Sequence, residues 1–136
     1  NDLGFHLADQ SRDLPEAERL VRHAIATDRL ARRKAGDAEP ESAAYLDSLG
    51  WVLFRRGQLA EARAELERAA ALPSGAVDPV VWDHLGDVQF RLGEKAKAKA
   101  AWERSAELSE AENRAGVRAR RDGRLDEVRR KFKRVQ

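Results

Sequence analysis

Apolar and small residues recur along this chain at helical spacing, in short segments that glycine, proline or polar residues separate. Ala62, Leu66 and Ala69 lie at i, i+4 and i+7. The same spacing returns 36 residues later, at Ala98, Trp102 and Ser105. Residues at these intervals lie on one face of a helix. The pattern therefore predicts a series of short amphipathic helices.

A longer motif repeats with the same period. The segment around Leu49-Gly50 matches the segment around Leu85-Gly86 in residue type and in register. The matching pairs are Asp47/Asp83, Leu49/Leu85, Gly50/Gly86, Val52/Val88, Phe54/Phe90, Arg55/Arg91 and Gly57/Gly93. A fixed period of this length indicates an array of small helical units. Such arrays offer extended surfaces rather than catalytic pockets.

Turn and capping residues divide the chain into predicted helix pairs. Ser42 is an N-cap candidate, and Asp78-Pro79 joins an N-cap acceptor to a proline at the first helical position. Gly57 and Gly93 are helix stop signals, and Pro73 begins a break. The predicted helices cover residues 43–56, 60–72, 79–92, 95–108, 109–121 and 124–135, after a first pair at 1–35.

We expect a single helical-repeat domain. Repeat one covers about residues 1–35 and is truncated at its start, repeat two about 42–73, and repeat three about 78–109. Capping helices follow at about 110–136, where Val128 and Phe132 belong to a narrow apolar stripe on an otherwise charged segment. The chain lacks Met and begins inside a repeat, so we expect it to be a fragment of a longer protein.

The recurring residues resemble the tetratricopeptide repeat. They read Trp82-x-x-Leu85-Gly86 with Ala98-x-x-x-Trp102, and Leu46-x-x-Leu49-Gly50-x-x-Leu53 with Ala62-x-x-x-Leu66-x-x-Ala69. The sequence around these motifs is similar to that of bacterial multi-repeat proteins of this family. The resemblance implies an all-α fold, a tetratricopeptide-type helical-hairpin superhelix (an alpha-alpha solenoid) with C-terminal capping helices.

The resemblance also implies a function. In this family the first helix of each pair lines a concave groove that holds a peptide or a partner helix. Carried over by register, the groove residues are Asn1, Phe5, Asp47, Trp51, Phe54, Arg55, Asp83, Asp87, Phe90 and Arg91. We therefore expect a non-catalytic protein-interaction module or scaffold, with a protein or peptide partner that the sequence does not name.

Several of these residues have a chemical role in such a groove. Phe5, Trp51 and Phe54 would form an aromatic strip that takes apolar side chains. Arg55 and Arg91 would donate paired hydrogen bonds to carboxylates. We do not expect the Lys/Asn carboxylate clamp of some family members, because Asp47 and Trp51 occupy the positions where it would begin.

Packing is the alternative role for the large residues. Trp51 is expected to face the groove, the alternative being that it packs under a neighbouring repeat. Trp82 and Trp102 are expected in the core. For Phe54 and for Phe90, two positions stay open: the floor of the groove and the core. Gly50 and Gly86 are expected where two helices approach too closely for a Cβ atom. Ala62 and Ala98 are the small residues expected at the same contact on the facing helices.

Composition excludes several kinds of chemistry. The chain contains no Cys, which excludes disulfides, thiolate zinc sites and cysteine nucleophiles. His6, His23 and His84 lack metal-ligand spacing, and no nucleophile–base constellation is present. We therefore predict no enzyme activity, no catalytic residue, no cofactor and no metal. No apolar run approaches the ~18 residues that span a membrane, and bacterial cytoplasm and periplasm both stay open.

Charge offers a second hypothesis. Residues 1–113 carry 16 basic and 21 acidic groups, a net −5, whereas residues 114–136 carry 10 basic and 3 acidic groups, a net +7. The alternative basic surface consists of Arg118, Arg121, Arg129, Arg130, Lys131 and Arg134. It would bind nucleic acid or an anionic surface, but a solvated or paired face is the favoured reading. Self-association of the open array, giving a homo-oligomer, is a further alternative.

Overall fold

The protein is described here by a computed structural model that covers residues 13–115 and 124–135. Within those residues the chain forms helices and no strand, which confirms the predicted all-α class. The helices are α1 (Leu14–Ala35), α2 (Ala43–Arg55), α3 (Leu59–Ala71), α4 (Pro73–Ala76), α5 (Pro79–Arg91), α6 (Lys95–Arg114) and α7 (Arg124–Arg134).

The predicted capping residues begin and end the central helices. The Ser42 hydroxyl accepts a hydrogen bond from the Tyr45 backbone N–H at 3.2 Å, at the start of α2. The Asp78 carboxylate accepts one from the Val80 N–H at 2.9 Å, at the start of α5. Gly57 and Gly93, just beyond α2 and α5, have φ angles of +79° and +84°. Glycine adopts this left-handed conformation without steric cost, so both helices stop there.

Two boundaries differ from the sequence prediction. Residues 73–75 were expected only to break a helix, but Pro73–Ala76 forms the short helix α4, with proline at its first position. The helix expected to end at Leu108 continues as α6 to Arg114. Neither glycine nor proline occurs between those two residues, so nothing in the backbone stops the helix. Capping therefore falls to α7 alone among the described helices.

The helices pack on their neighbours in the chain. α2 packs on α3 and α5 packs on α6, forming two helical hairpins, and α5 also contacts both helices of the preceding hairpin. α1 packs on α2, and α7 packs on α6. Fully buried leucine and valine side chains fill the main core, among them Leu46, Leu53, Leu66, Val81 and Val88. Successive pairs thereby share one continuous core, as a repeat array requires.

Gly50 and Gly86 lie at the closest approach within each hairpin, as predicted. A Cβ atom on Gly50 would stand 2.6 Å from Cγ of Leu66, and one on Gly86 would stand 2.4 Å from Nε1 of Trp102. Both distances are far below van der Waals contact, so only glycine permits these helix spacings. Trp102 is buried, as expected, and its indole N–H donates to the Asp83 carbonyl at 3.3 Å.

The polar segment between α1 and α2 is held by ion pairs. The Glu41 carboxylate accepts hydrogen bonds from Nε of Arg29 and from Nη2 of Arg68, each at 2.6 Å. Burial opposes the charged form of Glu41, but these two guanidinium groups outweigh it and lower the pKa of the carboxyl below its usual value. Glu41 thus joins α1 to α3 across the interruption in the array.

α7 closes the end of the third pair. Val128 is fully buried against Ala98 and Trp102, and Phe132 and Val135 pack against the same cluster. The apolar stripe predicted for this segment therefore faces α6, whereas Arg130, Lys133 and Arg134 are exposed.

Candidate functional site

Aromatic rings line the surface where α2 faces α5. Trp51 stacks on Phe54, with ring centroids 5.1 Å apart and an interplanar angle of 27°. Trp51 also stacks on His84 of α5 at 4.3 Å and 23°. Trp51 and Phe54 are three residues apart and therefore neighbours on one helix face. The stack of Trp51 on His84 extends this aromatic face from α2 to α5, the first helix of the next hairpin.

Trp51 is half-buried within this stack. Besides Phe54 and His84, its ring packs against the small cluster of Ala17 and Val52. Of the two roles predicted for Trp51, contact with the neighbouring helices is the one that this packing supports. A tryptophan covered from α1 and α5 fixes how the pairs stack, and only part of its ring remains for a ligand.

Asp47 and Asp83 were predicted to line the groove, but their carboxylates are inside the protein. Asp47 is 4% exposed and pairs with the buried His84, whose Nδ1 lies 2.8 Å from the carboxylate Oδ1. Asp83 is 2% exposed. A buried charge requires a partner, and α5 and α7 supply these two partners. Neither carboxylate presents a solvent-facing edge to a ligand.

The partner of Asp83 comes from α7. Nζ of Lys131 lies 2.9 Å from Oδ1 of Asp83 and 2.9 Å from Oδ1 of Asp87. Burial together with the adjacent Asp83 carboxylate raises the pKa of Asp87 above its usual value, against the attraction of Lys131. Burial opposes the charged form of Lys131, but attraction to the two aspartates outweighs it and raises the pKa of the lysine.

A cleft opens beside this charge cluster, and residues of α2, α5 and α6 and of the C-terminal end of α7 line it. Its volume is about 200 Å³. The lining residues are Phe54, Asp87, Phe90, Arg91, Trp102, Lys131, Arg134 and Val135. We call this site the terminal cleft. Four of these side chains are apolar, and the cations come from both α5 and α7.

Phe90 is the most accessible ring of the terminal cleft. It is 41% exposed and lies 5.7 Å from the Trp102 ring in a tilted arrangement. The Arg91 guanidinium stands 5.4 Å from the centre of the Phe54 ring, and Lys131 Nζ stands 5.9 Å from that of Trp102. Both distances allow cation–π attraction. Of the two roles left open for Phe54 and Phe90, a floor accessible from solvent fits Phe90 best, while Phe54 is partly covered by Arg91.

The other predicted groove residues are distributed as follows. Arg55 and Arg91 are exposed at the C-terminal ends of α2 and α5, at equivalent positions of the two hairpins. Asp87 is half-buried beneath Lys131. Asn1 and Phe5 lie outside the described residues.

Two of the predicted basic C-terminal residues form ion pairs with other helices of the protein. Arg129 donates to the Glu110 carboxylate at 2.5 Å, and Lys131 is held by the two aspartates. Arg130 and Arg134 are exposed, whereas Arg118 and Arg121 lie outside the described residues. Two of the six residues therefore attach α7 to the body of the protein, as the reading of a paired face anticipates.

Sequence reasoning did not bring Lys131, Trp102, Arg134 and Val135 into one site. A usable signal was present for Lys131, which borders the apolar stripe next to Phe132 and must therefore lie near the surface that the stripe covers. The i, i+4 spacing of Asp83 and Asp87 marked a paired acidic face on α5 that required a cation. The 36-residue period does not relate the position of Lys131 to that of the Asp83/Asp87 pair.

The described part of the chain contains neither a metal-binding cluster nor a helix able to span a membrane. Across 13–115 and 124–135, no group of three or more His, Asp or Glu side chains is placed to hold a metal ion. No helix in these ranges is long and apolar enough to cross a bilayer. His23 is exposed on α1, far in sequence from the buried His84.

Comparison with known proteins finds similarity to a sequence relative and to a solved structure. No family model matches the chain. A TPR repeat-containing protein of Pseudomonas aeruginosa is 36% identical over 69 residues, which make up 51% of this chain and 10% of that protein. The match thus spans about a tenth of the length of this relative.

The structural neighbour covers nearly the whole chain. The TPR domain of Sgt2 from Aspergillus fumigatus superimposes with a TM-score of 0.60, over 98% of this chain and 81% of that one. Sequence identity is 18%. At that identity the similarity establishes the arrangement of the helices, and the site must be argued from its own residues.

Proposed function

We propose that this tetratricopeptide-repeat chain is a non-catalytic protein-interaction module that holds a peptide or a partner helix against α2 and α5. Arrays of this fold are in general protein-binding scaffolds. The observation that carries the proposal is the exposed Phe90 ring, which stands in a concave, mostly apolar cleft beside Phe54 and Trp102. A folded protein gains nothing in stability from keeping such a ring accessible.

The setting of Phe90 distinguishes it from other exposed apolar residues. Leu30 and Val77 are also exposed, at 52% and 58%, but neither lines the terminal cleft. Isolated exposed apolar side chains are common on protein surfaces. Phe90 instead shares its cleft with two further rings and three cations, the surroundings in which binding energy concentrates at protein interfaces.

The remaining predicted groove residues extend the proposed surface from this centre. Arg55 and Arg91 would contact carboxylates or backbone carbonyls of the bound segment. Trp51 contributes the accessible part of its ring and keeps the two hairpins in register. Asn1 and Phe5 belong to the proposed surface by sequence register alone. Asp47 and Asp83 support it from within, through His84 and Lys131.

Affinity capture with matched baits tests this proposal. The baits are the wild type, Phe90→Glu, and Val77→Glu as a control that places the same charge on an exposed apolar position elsewhere. Circular dichroism establishes that all three are folded. We expect a protein from the source-cell lysate to be retained by the wild type and by Val77→Glu, and lost with Phe90→Glu. Equal retention by all three baits would refute a site at Phe90.

A fourth bait addresses the basic surface. Arg130→Glu combined with Lys133→Glu reverses two exposed charges on α7 and leaves the terminal cleft unchanged. Loss of nucleic acid with this bait, together with full retention by Phe90→Glu, would make the basic helix the working surface instead of the cleft.

A further inference from the structure

We infer that the terminal cleft is a pocket for an acidic protein segment that inserts one large apolar side chain, and that α7 is a wall of this pocket. The inference rests on the proposed function and adds the chemistry of the partner to it.

The size and lining of the cleft point to a single apolar side chain. Its volume of about 200 Å³ is below the roughly 300–1,000 Å³ of pockets that hold drug-sized molecules. Phe54, Phe90, Trp102 and Val135 supply the apolar surface. A leucine, methionine or aromatic side chain would exchange water for contact with the exposed Phe90 ring and with the parts of Phe54 and Val135 that line the cleft, which is the usual basis of an interface anchor.

The charges around the opening point to an acidic segment. Arg91 comes from α5 and Arg134 from α7, and within the described residues neither is paired with a carboxylate. Asp87, the acidic member of the lining, is already bound to Lys131. The wall helix itself carries six basic and two acidic side chains over Arg124–Arg134. A segment with carboxylates beside its apolar side chain would complement this edge, whereas a basic segment would be repelled.

Specific contacts hold α7 in place as a wall. Lys131 is 2.9 Å from both Asp83 and Asp87, Arg129 bonds to Glu110, and Val128 is fully buried. Because these contacts lie on the inner side of the helix, Arg134 and Val135 are presented to the cleft from a fixed position. The pocket is therefore assembled from the last hairpin and the terminal helix, with Phe54 of α2 as a further lining residue.

Nucleic acid fits this site less well. Trp102 is 4% exposed, so its face offers no platform for stacking a base, and Phe90 is the one broadly accessible ring of the cleft. Proteins that hold single strands alternate cations with several accessible rings along a groove. Here the cations surround one apolar depression of side-chain size, which favours a protein segment.

Selection from a random peptide library displayed on phage tests the inference. The immobilised targets are the wild-type chain, Arg91→Glu/Arg134→Glu, and Arg19→Glu/Lys34→Glu as a control that reverses two exposed charges on α1. We expect the wild type and the control to enrich peptides with one large apolar residue between acidic residues. The cleft variant should bind the enriched peptide at least about tenfold more weakly.

The outcomes separate the inference from the proposed function. Enriched peptides without acidic residues, with binding still lost in Phe90→Glu, would overturn the inference and leave the proposed function standing. Enrichment of no peptide by the wild type would overturn both. Displacement of the enriched peptide by a single-stranded oligonucleotide at equal concentration would assign the cleft to nucleic acid and would also overturn the inference.

A second measurement tests the role of α7. Lys131→Met removes the cation that attaches the helix to α5, and Lys133→Met is the matched control two residues away on the exposed face. We expect the first variant to lose at least about fivefold in affinity for the enriched peptide and the second to bind like the wild type. Unchanged affinity in folded Lys131→Met would show that α7 is not a wall of the pocket.

Discussion

Lys131 of the last helix places its Nζ 2.9 Å from Oδ1 of Asp83, a residue 48 positions earlier that is 2% exposed. The same ammonium group is 2.9 Å from Asp87. Two carboxylates one turn apart on α5 thus share one cation from α7. This contact supplies a positive charge to the two carboxylates and attaches the terminal helix to α5.

Lys131→Met is expected to destabilise the folded protein by about 1–3 kcal/mol at pH 7, because it leaves buried acceptors without their donor. Methionine keeps much of the length and the apolar stem of lysine, so loss of charge is the main change. Urea denaturation measures the difference. Lys133→Met, on the exposed face, should stay within about 0.5 kcal/mol of the wild type.

The cost of Lys131→Met should depend on pH. The raised pKa of Lys131 means that its stabilising contribution is complete below the ordinary lysine value of 10.5 and is lost as pH rises through the higher folded value. The raised pKa of Asp87 means that this carboxyl takes up a proton in the folded state above 3.8. As pH falls through that raised value, the unpaired charge disappears and the variant should approach the wild type. A cost that stays equal as pH is lowered from 7 to 3 would contradict this account.

Glu41→Gln tests the ion pairs that join α1 to α3. The lowered pKa of Glu41 contributes stability that is present above its ordinary value of 4.5 and is lost as pH falls through the lower folded value. Arg29 and Arg68 are 40% and 45% exposed, so water screens the pairs and we expect only about 0.5–1 kcal/mol at pH 7. Urea denaturation should show this difference becoming smaller as pH falls below 4.5. Glu107→Gln, at an exposed position, is the control and should stay within about 0.5 kcal/mol of the wild type at pH 7.

Gly86→Ala is expected to cost about 1–3 kcal/mol, since the new Cβ atom would overlap the rigid indole of Trp102. Gly50→Ala should cost less, because Leu66 can rotate away more easily than a hydrogen-bonded ring. A double-mutant cycle with Trp102→Leu, which copies the leucine of the preceding hairpin, supplies the test. The cost of Gly86→Ala should fall by at least about 0.5 kcal/mol in that background; an unchanged cost would exclude the indole as its cause.

His84→Leu is expected to cost about 1–3 kcal/mol, because the buried Asp47 carboxylate loses the hydrogen-bond donor at 2.8 Å. His84→Asn keeps a donor near the position of Nδ1 and should cost less, although both variants lose the stack on Trp51. Thermal unfolding ranks the two variants. If asparagine destabilised the protein as much as leucine, stacking rather than the hydrogen bond would be the principal contribution of His84.

The hairpins themselves were predictable from the sequence. Gly50 with Leu66 and Gly86 with Trp102 form contacts between helices adjacent in the chain, and the repeat places the same pair of residue types at the same separation twice. Capping followed from local chemistry as well, since Ser42 and Asp78 bond to backbone N–H groups within three residues. Local and periodic relations of this kind are readable in one sequence.

Contacts between elements outside the period were not predictable. Lys131 meets Asp83 and Asp87 because α7, a helix without a repeat equivalent, packs on α6 and extends this side chain to α5. Helical register assigned Trp51 to the groove face, but it gave no account of the contacts from α1 and His84 that partly cover this ring. The terminal cleft depends on both kinds of contact, so the sequence indicated its ring and arginine on α5 but not its walls.

The terminal cluster of Ala98, Trp102 and Val128 shares no buried residue with the main core. We therefore expect α7 to have a local unfolding equilibrium of its own, in which it detaches while α2, α3 and α5 remain packed. Amide protons of α7 will exchange with solvent through that opening before those of the main core do. Because the C-terminal end of α7 supplies Arg134 and Val135 to the terminal cleft, each opening also removes one side of the pocket. A bound segment would therefore slow the exchange of amide protons along the whole of α7, although it contacts only one end of this helix.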